Sequence, residues 1–129
     1  MESKYWQPLR KPYDLRERLF EFACAIVRVV QFLHTCGPVG VAVSDQLLKC
    51  GTSAGANFEE ADDGSSPRDT LAKQRIALRE LKETRFRLRV LRRSGLLPTE
   101  GEAVITESDE LVRIVASIVR KMDQRRSSE

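Results

Sequence analysis

The sequence predicts an all-α protein, an antiparallel up-down four-helix bundle, on three observations. Apolar residues recur three and four positions apart in four successive segments, the spacing that places side chains on one face of a helix. Short stretches with glycine or proline separate these segments. Aromatic residues make up only 6% of the chain and no segment alternates with a period of two, so we predict no strand. Short connections between four helices favour antiparallel neighbours.

The first two predicted helices are separated by a Gly-Pro turn. Asp14, with Glu17 three positions later, is a suitable N-cap for the first helix, which ends at Gly37-Pro38. The second spans residues 39–62. The apolar positions of the first helix are Leu15, Leu19, Phe22, Ile26, Val29 or Val30, and Leu33. Its charged residues are expected mostly on the outer side: Arg16, Arg18, Glu21 and Arg28. The inward positions of the second helix are Leu47, Gly51, Ala54, Phe58 and Ala61.

The third and fourth predicted helices have clear end signals. Ser66 is an N-cap residue before Pro67, and the third helix ends at Ser94-Gly95. The fourth begins near Thr99 or Glu100 and is acidic first and basic last, which suits the helix dipole. The inward positions of the third helix are Leu71, Ala77, Leu78, Leu81, Thr84, Leu88 and Leu91. Those of the fourth are Val104, Ser108, Leu111, Val115, Ile118 and Met122. We expect an arm at 1–13, one bundle domain at 14–126 and a tail at 127–129.

A second apolar edge on the fourth helix predicts contact with another chain. Ile105, Val112 and Val119 repeat every seven residues beside the inward positions. One bundle core needs only one such face, so we expect this edge to contribute to an oligomer interface.

Composition limits the classes of function. The net charge of +3 permits nucleic acid or an acidic partner without requiring either. Three cysteines without paired spacing, a polar N-terminus and short apolar runs predict a cytoplasmic protein with reduced thiols and no membrane partner. His34 and Cys36 belong to no four-ligand cluster, so we expect no metal and no cofactor.

Residues 51–55 read Gly-Thr-Ser-Ala-Gly, the G-x-S-x-G pattern of a serine-hydrolase nucleophile. That pattern needs a strand before the serine and a histidine after it, whereas Ser53 lies within a helical pattern and His34, the only histidine, precedes it. We therefore predict that Ser53 is not a nucleophile. Gly51 and Gly55 instead form a small face that another helix can approach closely.

Polar residues beside this small face leave two interpretations open. Ser53, Asn57 and Glu60 line up at spacings of four and three, either as hydrogen-bonding groups toward a neighbouring helix or as a solvated face. Glu60, Glu80 and Glu83 could approach one another, but bundle metal sites also need histidines. Arg85 and Arg92 are expected to pair with Glu60 instead, so no enzyme is predicted.

Two blocks of the chain resemble a known family. Gln46-Leu47-Leu48, Thr52-Ser53, Gly55-Ala56-Asn57 and Glu59-Glu60-Ala61 are followed by Ala77-Leu78, Glu80 and Glu83-Thr84. This order is similar to the four-helix-bundle proteins encoded in intervening sequences of bacterial 23S ribosomal RNA genes. Residues 85–93, RFRLRVLRR, depart from the family pattern, which has few charges there. The resemblance implies a homopentamer but no settled activity; it extends distantly to retroelement accessory variability proteins thought to bind nucleic acid.

Two functions follow from these observations. The first is a non-enzymatic oligomeric interaction or scaffold module, which includes binding of a protein partner. The alternative is an accessory module that binds RNA or DNA through the third helix, where residues 67–93 carry ten Lys or Arg against three acids, a net +7. Five of these cations define the basic stripe, roughly opposite Leu81 and Leu88: Arg75, Arg79, Lys82, Arg89 and Arg93.

Overall fold

Four long α-helices make up the protein, in a computed structural model that describes residues 3–63 and 66–128. The helices are α1 (Leu15–Leu33), α2 (Gly37–Asp62), α3 (Pro67–Arg93) and α4 (Glu102–Ser128), with a 3₁₀ turn at Thr99–Gly101 before α4. No strand is present in the described part of the chain. Each helix packs against the next and α4 packs back on α1, so the predicted all-α four-helix bundle is confirmed.

Side-chain caps mark where α1 and α3 begin. The Asp14 carboxylate accepts hydrogen bonds from the backbone N–H groups of Arg16 and Glu17, at 2.9 and 3.4 Å. Ser66 Oγ accepts one from the N–H of Asp69 at 3.1 Å. These oxygens satisfy N–H groups that have no partner within the helix.

Glycines reverse the chain between helices. Gly37 and Gly95 have φ angles of +85° and +87°, a conformation that side chains with a Cβ rarely adopt. Residues 34–36 connect α1 to α2, which begins at Gly37, two residues before the predicted position 39. Gly95 follows α3 and permits the return toward α4.

The core lies along the bundle axis and every helix contributes to it. Fully buried side chains include Phe22 and Ile26 of α1, Leu47 of α2, Leu81 of α3 and Leu111 of α4. The apolar spacing therefore identified the inward face of each helix. Buried Thr84 and Ser108 also lie where the spacing placed them, and each donates its hydroxyl to a carbonyl of its own helix: Glu80 O and Ile105 O.

The N-terminal arm packs on the bundle. Trp6 and Leu9 contact the core cluster, and the rings of Trp6 and Tyr5 meet Phe32 of α1 edge to face, at centroid distances of 5.2 and 5.8 Å. The arm follows the side of the bundle where α1 and α4 meet, since residues 5–9 line a groove together with Ala25 of α1 and Val104 of α4. At the other end, α4 continues through Ser128, so residues 127 and 128 of the predicted tail are helical.

Candidate functional site

The outer face of α3 carries the basic stripe. Helical geometry brings residues three, four and seven positions apart onto one side, so Arg75, Arg79, Lys82, Arg89 and Arg93 form a single row along the helix. All five side chains are exposed. Leu81 and Leu88 lie in the core, on the side of α3 away from the row.

Most of the stripe has no acidic partner. Arg75 pairs with Asp123 of α4 at 2.8 Å. Arg79, Lys82, Arg89 and Arg93 make no ion pair with any residue in 3–63 or 66–128. The paired cations of α3 that lie beside the stripe are different residues: Lys73 with Glu60, Arg85 with Asp109, Arg87 with Glu83 and Arg92 with Glu102, at 2.8 to 3.1 Å. The sequence contained these acids but could not assign them to particular cations.

An exposed aromatic ring lies within the stripe. Phe86 is 64% exposed and sits four residues after Lys82 and three before Arg89, which places it in the same row. It borders a shallow depression of about 90 Å³ together with Val43, Val90 and Leu91. Phe86 was not predicted as a site residue, although the sequence places it between Lys82 and Arg89 on the same side of the helix.

The GTSAG stretch is helical throughout. Ser53 lies in the middle of α2, and its Oγ donates to the carbonyl of Cys50 at 3.4 Å. Asn57 Nδ2 donates to the carbonyl of Ser53 at 2.9 Å. Both side chains therefore bond within their own helix and not to a neighbouring one. His34 contacts a different serine, Ser44, at 3.0 Å. Because Ser44 is buried and also donates to the Val41 carbonyl, it has no surface from which to attack a substrate.

The candidate carboxylates take cations, although not the expected ones. Glu60 pairs with Lys73 of α3 at 2.8 Å, and Glu83 pairs with Arg87 one turn later. The expectation that Arg85 and Arg92 neutralise Glu60 is wrong, because their partners are acids of α4. Glu80 is half-buried, and no ion pair to it occurs within the described residues.

Gly51 is the closely packed glycine of the small face. A Cβ built there would lie 2.6 and 2.8 Å from the Cγ2 and Cγ1 atoms of Ile26 on α1. At Gly55 the same atom would lie 3.4 Å from the Cβ of Leu19, an ordinary contact. The helix that uses the small face is therefore α1 of the same chain.

An ion cluster around one buried carboxylate joins the arm, α1 and α4, and the sequence did not predict it. Arg18, expected outside, has a side chain only 17% exposed and binds Glu107, whose side chain is 1% exposed. Arg18 also donates to Glu110, and Lys11 of the arm lies 3.6 Å from Glu107 and 3.4 Å from Glu110. The hydrogen bond from Arg18 lowers the pKa of Glu110, with Lys11 adding to the effect. The hydrogen bond to Glu107, with Glu110 adding to the effect, raises the pKa of Arg18 above its ordinary value.

The second apolar edge of α4 packs within its own chain. Val112 is 5% exposed and belongs to the core cluster, while Ile105 and Val119 are partly buried against it. Of these three residues, only Ile105 and Val119 retain side-chain surface for another chain. Their place in an oligomer interface stays a prediction.

Other site types have no basis in the described residues. There, no group of three or more His, Cys, Asp or Glu is placed to hold a metal ion. No helix in the same part is long and apolar enough to cross a membrane. Cys24, Cys36 and Cys50 are free thiols, and burial raises the pKa of Cys50.

The fold defines the class of protein, a four-helix bundle with short connections, and comparison with known proteins defines the family. The chain belongs to the family of 23S rRNA-intervening sequence proteins, whose model matches residues 12–117. It is similar to a crystal structure, at 1.70 Å, of a protein of unknown function from the S23 ribosomal protein family of Bacteroides thetaiotaomicron. Sequence identity is 33% and the TM-score is 0.76, over 82% of this chain and 98% of that one. No curated protein matches the sequence significantly.

Proposed function

We propose that the protein is a non-enzymatic module that binds the phosphate backbone of nucleic acid through the outer face of α3. The observation that carries this proposal is the row of four exposed cations without acidic partners in the described part of the chain: Arg79, Lys82, Arg89 and Arg93. Cations already paired with carboxylates would have to exchange those partners for phosphates. These four cations can bind phosphates without first giving up a carboxylate.

Charge distribution supports the same proposal. Residues 67–93 carry a net +7, although the whole chain carries only +3. Four of the cations on α3 are offset by Glu60, Asp123, Asp109 and Glu102 of other helices. The positive charge that remains lies on the outer face of α3, which favours attraction of a polyanion to that side of the molecule. A row of guanidinium and ammonium groups contacts phosphates in any sequence, so we expect weak sequence preference.

Absence of catalysis is part of the proposal. The serine of the GTSAG stretch hydrogen-bonds within α2, and Glu60 and Glu83 are ion-paired with Lys73 and Arg87. Such an arrangement offers neither an activated nucleophile nor a free pair of carboxylates.

Charge reversal tests the proposal with a matched control. We expect labelled RNA to bind the unmodified protein with an affinity that falls with salt, at a log–log slope of about −3 if all four cations contact phosphates of a single strand. The triple variant R79E/K82E/R89E should lose this binding and keep its helical circular dichroism. The control K4E/R10E/K49E has the same net charge but leaves α3 unchanged, so it should still bind.

Two outcomes would reject the proposal. One is that the unmodified protein fails to bind RNA or DNA even at about 50 mM salt, where backbone contacts are strong. The other is equal loss in both triple variants, which would mean that net charge, and not the α3 face, controls binding.

A second candidate function is a self-assembling scaffold, favoured by a groove between α1 and α2 that apolar residues line together with Arg16, Thr52 and Glu59. Phe20, 58% exposed, and Ala23 line it opposite Gly55 and Ala56 of α2, and Val27 continues the same face of α1. The occupant we propose is a second copy of the chain, as the resemblance to a homopentameric family implies. Light scattering behind a sizing column should give about five times the 14.7 kDa of one chain.

Substitution in the groove tests this second candidate. Phe20→Glu should dissociate the oligomer, because a charge would then be buried in the contact. Val41→Glu, at an exposed valine outside the groove, should leave the mass unchanged. A monomer at micromolar concentration for the unmodified protein would remove this candidate.

A further inference from the structure

We propose that the ligand of the α3 face is single-stranded nucleic acid, held by stacking of one base on Phe86 while Lys82 and Arg89 bind the phosphates on either side. This inference rests on the proposed function and adds the class of ligand. Neither the net charge nor the basic stripe alone distinguishes a single strand from a duplex, since both present phosphates. Phe86 is the residue that makes the distinction.

The geometry of the row suits one nucleotide at its centre. A helix rises about 1.5 Å per residue, so Lys82 lies about 6 Å before Phe86 along α3 and Arg89 about 4.5 Å after it. Their long side chains can reach phosphates beyond both edges of a base that covers the ring. Arg79 and Arg93 extend the row by about another turn at each end. The exposed ring is thus flanked on both sides along the helix by cations that have no acidic partner in the described residues.

Stacking requires an open base face, which a single strand offers and a duplex does not. In a duplex, neighbouring base pairs cover both faces of every base, and stacking on Phe86 would first require unstacking. In single strands, aromatic side chains next to cationic grooves bind bases of any sequence in this way. The ring of Phe86 stands on the exposed side of α3, 64% accessible, so it needs no rearrangement to receive a base.

A protein partner is the competing occupant of the same surface. Val43 and Val90 lie beside Phe86 and extend the apolar area, which a hydrophobic side chain of another protein or of a second copy could cover. The cations on both sides favour nucleic acid, because an apolar contact would bring unpaired charges toward its edge.

Anisotropy of labelled oligonucleotides tests the inference on the full chain. We expect the unmodified protein to bind oligothymidylate of about 16 nucleotides, the upper end of single-strand site sizes, more tightly than a duplex of equal length. Phe86→Ala should weaken binding to the single strand about tenfold and leave duplex binding almost unchanged. Phe86→Trp should bind the single strand as tightly as the unmodified protein does, or more tightly. The control is Tyr13→Ala, which removes a fully exposed aromatic ring outside α3.

Tryptophan fluorescence gives a readout that a structural effect would not produce. Trp6 is the only tryptophan and packs against Phe32 of α1. In Phe86→Trp, oligothymidylate should quench the emission of the new tryptophan through stacking, whereas emission of the unmodified protein should hardly change.

Four results would overturn the inference, and the first three separate it from the proposed function. If Phe86→Ala binds single strands as the unmodified protein does while R79E/K82E/R89E fails, backbone binding stands and stacking is wrong. If duplex binds as tightly as single strand, the ligand class is wrong. If Phe86→Ala lowers the oligomeric mass and binding falls equally for single strand and duplex, the surface is a contact between copies. Failure of the unmodified protein to bind either nucleic acid rejects both proposals.

Discussion

Arg18 of α1 and Glu107 of α4 form a two-point ion pair inside the bundle. Arg18 Nε donates to Glu107 Oε2 at 2.8 Å, and Arg18 Nη2 donates to Glu107 Oε1 at 2.6 Å. The carboxylate is almost fully buried, whereas the guanidinium keeps a small exposed edge. Lys11 of the arm joins the same carboxylate at 3.6 Å. One buried acid therefore connects three parts of the chain that are far apart in sequence.

Removing this acid should destabilise the protein strongly. In Glu107→Ala the Arg18 guanidinium loses two hydrogen bonds and stays mostly buried, which costs about 3 to 5 kcal/mol when a buried pair is broken. We expect a loss of about 3 kcal/mol in the free energy of unfolding, since Arg18 keeps Glu110. Urea denaturation followed by circular dichroism measures it.

A pair on the surface provides the control for that measurement. Asp123 pairs with Arg75 at 2.8 Å, but both side chains are about half exposed, so Asp123→Ala should cost at most about 1 kcal/mol. If Glu107→Ala costs no more than Asp123→Ala, the burial of the Arg18 pair contributes nothing to stability.

Acid should weaken the connection between α1 and α4 through Glu110. Its folded-state pKa lies below the ordinary 4.5, first because Arg18 hydrogen-bonds to it and then because Lys11 is near. A lowered pKa stabilises the folded protein above pH 4.5, and this contribution is lost as pH falls below 4.5 through the lowered value. We expect the urea midpoint to fall over that range, with a smaller fall in Glu110→Gln. An identical acid profile for the variant would contradict this assignment.

The sequence predicted the helices well because their signals are local. Asp14, Ser66 and Pro67 mark starts within a few residues of the apolar pattern that they precede, and α3 begins and ends as predicted. Arg18 and Glu107 show the limit of prediction from local sequence signals. Each is a charged residue at the margin of an apolar face, and only the packing of α1 on α4 makes them partners. Spacing in one helix carries no information about the residue that faces it from another.

The candidate site was predictable to a similar extent. The basic stripe followed from spacing within α3, but which of its cations are paired depends on α4, as Arg75 with Asp123 illustrates. Phe86 was overlooked as a site residue, although its spacing from Lys82 and Arg89 already placed it in the row of the basic stripe. The structure adds how far it is exposed, 64%.

Two glycines of α2 should respond to alanine in opposite directions. Gly51→Ala would place a methyl group 2.6 Å from Ile26, which is fully buried, so overpacking of about 1 to 3 kcal/mol should exceed the gain in helix propensity of about 1 kcal/mol. Gly55→Ala meets only ordinary contacts and should stabilise by up to about 1 kcal/mol. Thermal unfolding of both variants measures the difference. Equal shifts in melting temperature would show that α1 does not pack more closely at Gly51.

The N-terminal arm should protect the bundle through Trp6. Its ring packs on the core cluster and meets Phe32 edge to face. Trp6→Ala should therefore lower the free energy of unfolding by about 1 to 3 kcal/mol. Loss of an aromatic pair costs about 1 kcal/mol, and truncation of a fully buried tryptophan costs at least about 3 kcal/mol. Detachment of the arm should also speed trypsin cleavage after Arg10, because a loosened segment opens more often than the helices. Gln7→Ala, at an exposed position of the same arm, should change neither quantity. Cleavage after Arg10 at the same rate in Trp6→Ala and the unmodified protein would mean that the arm is held by Lys11 and its carboxylates alone.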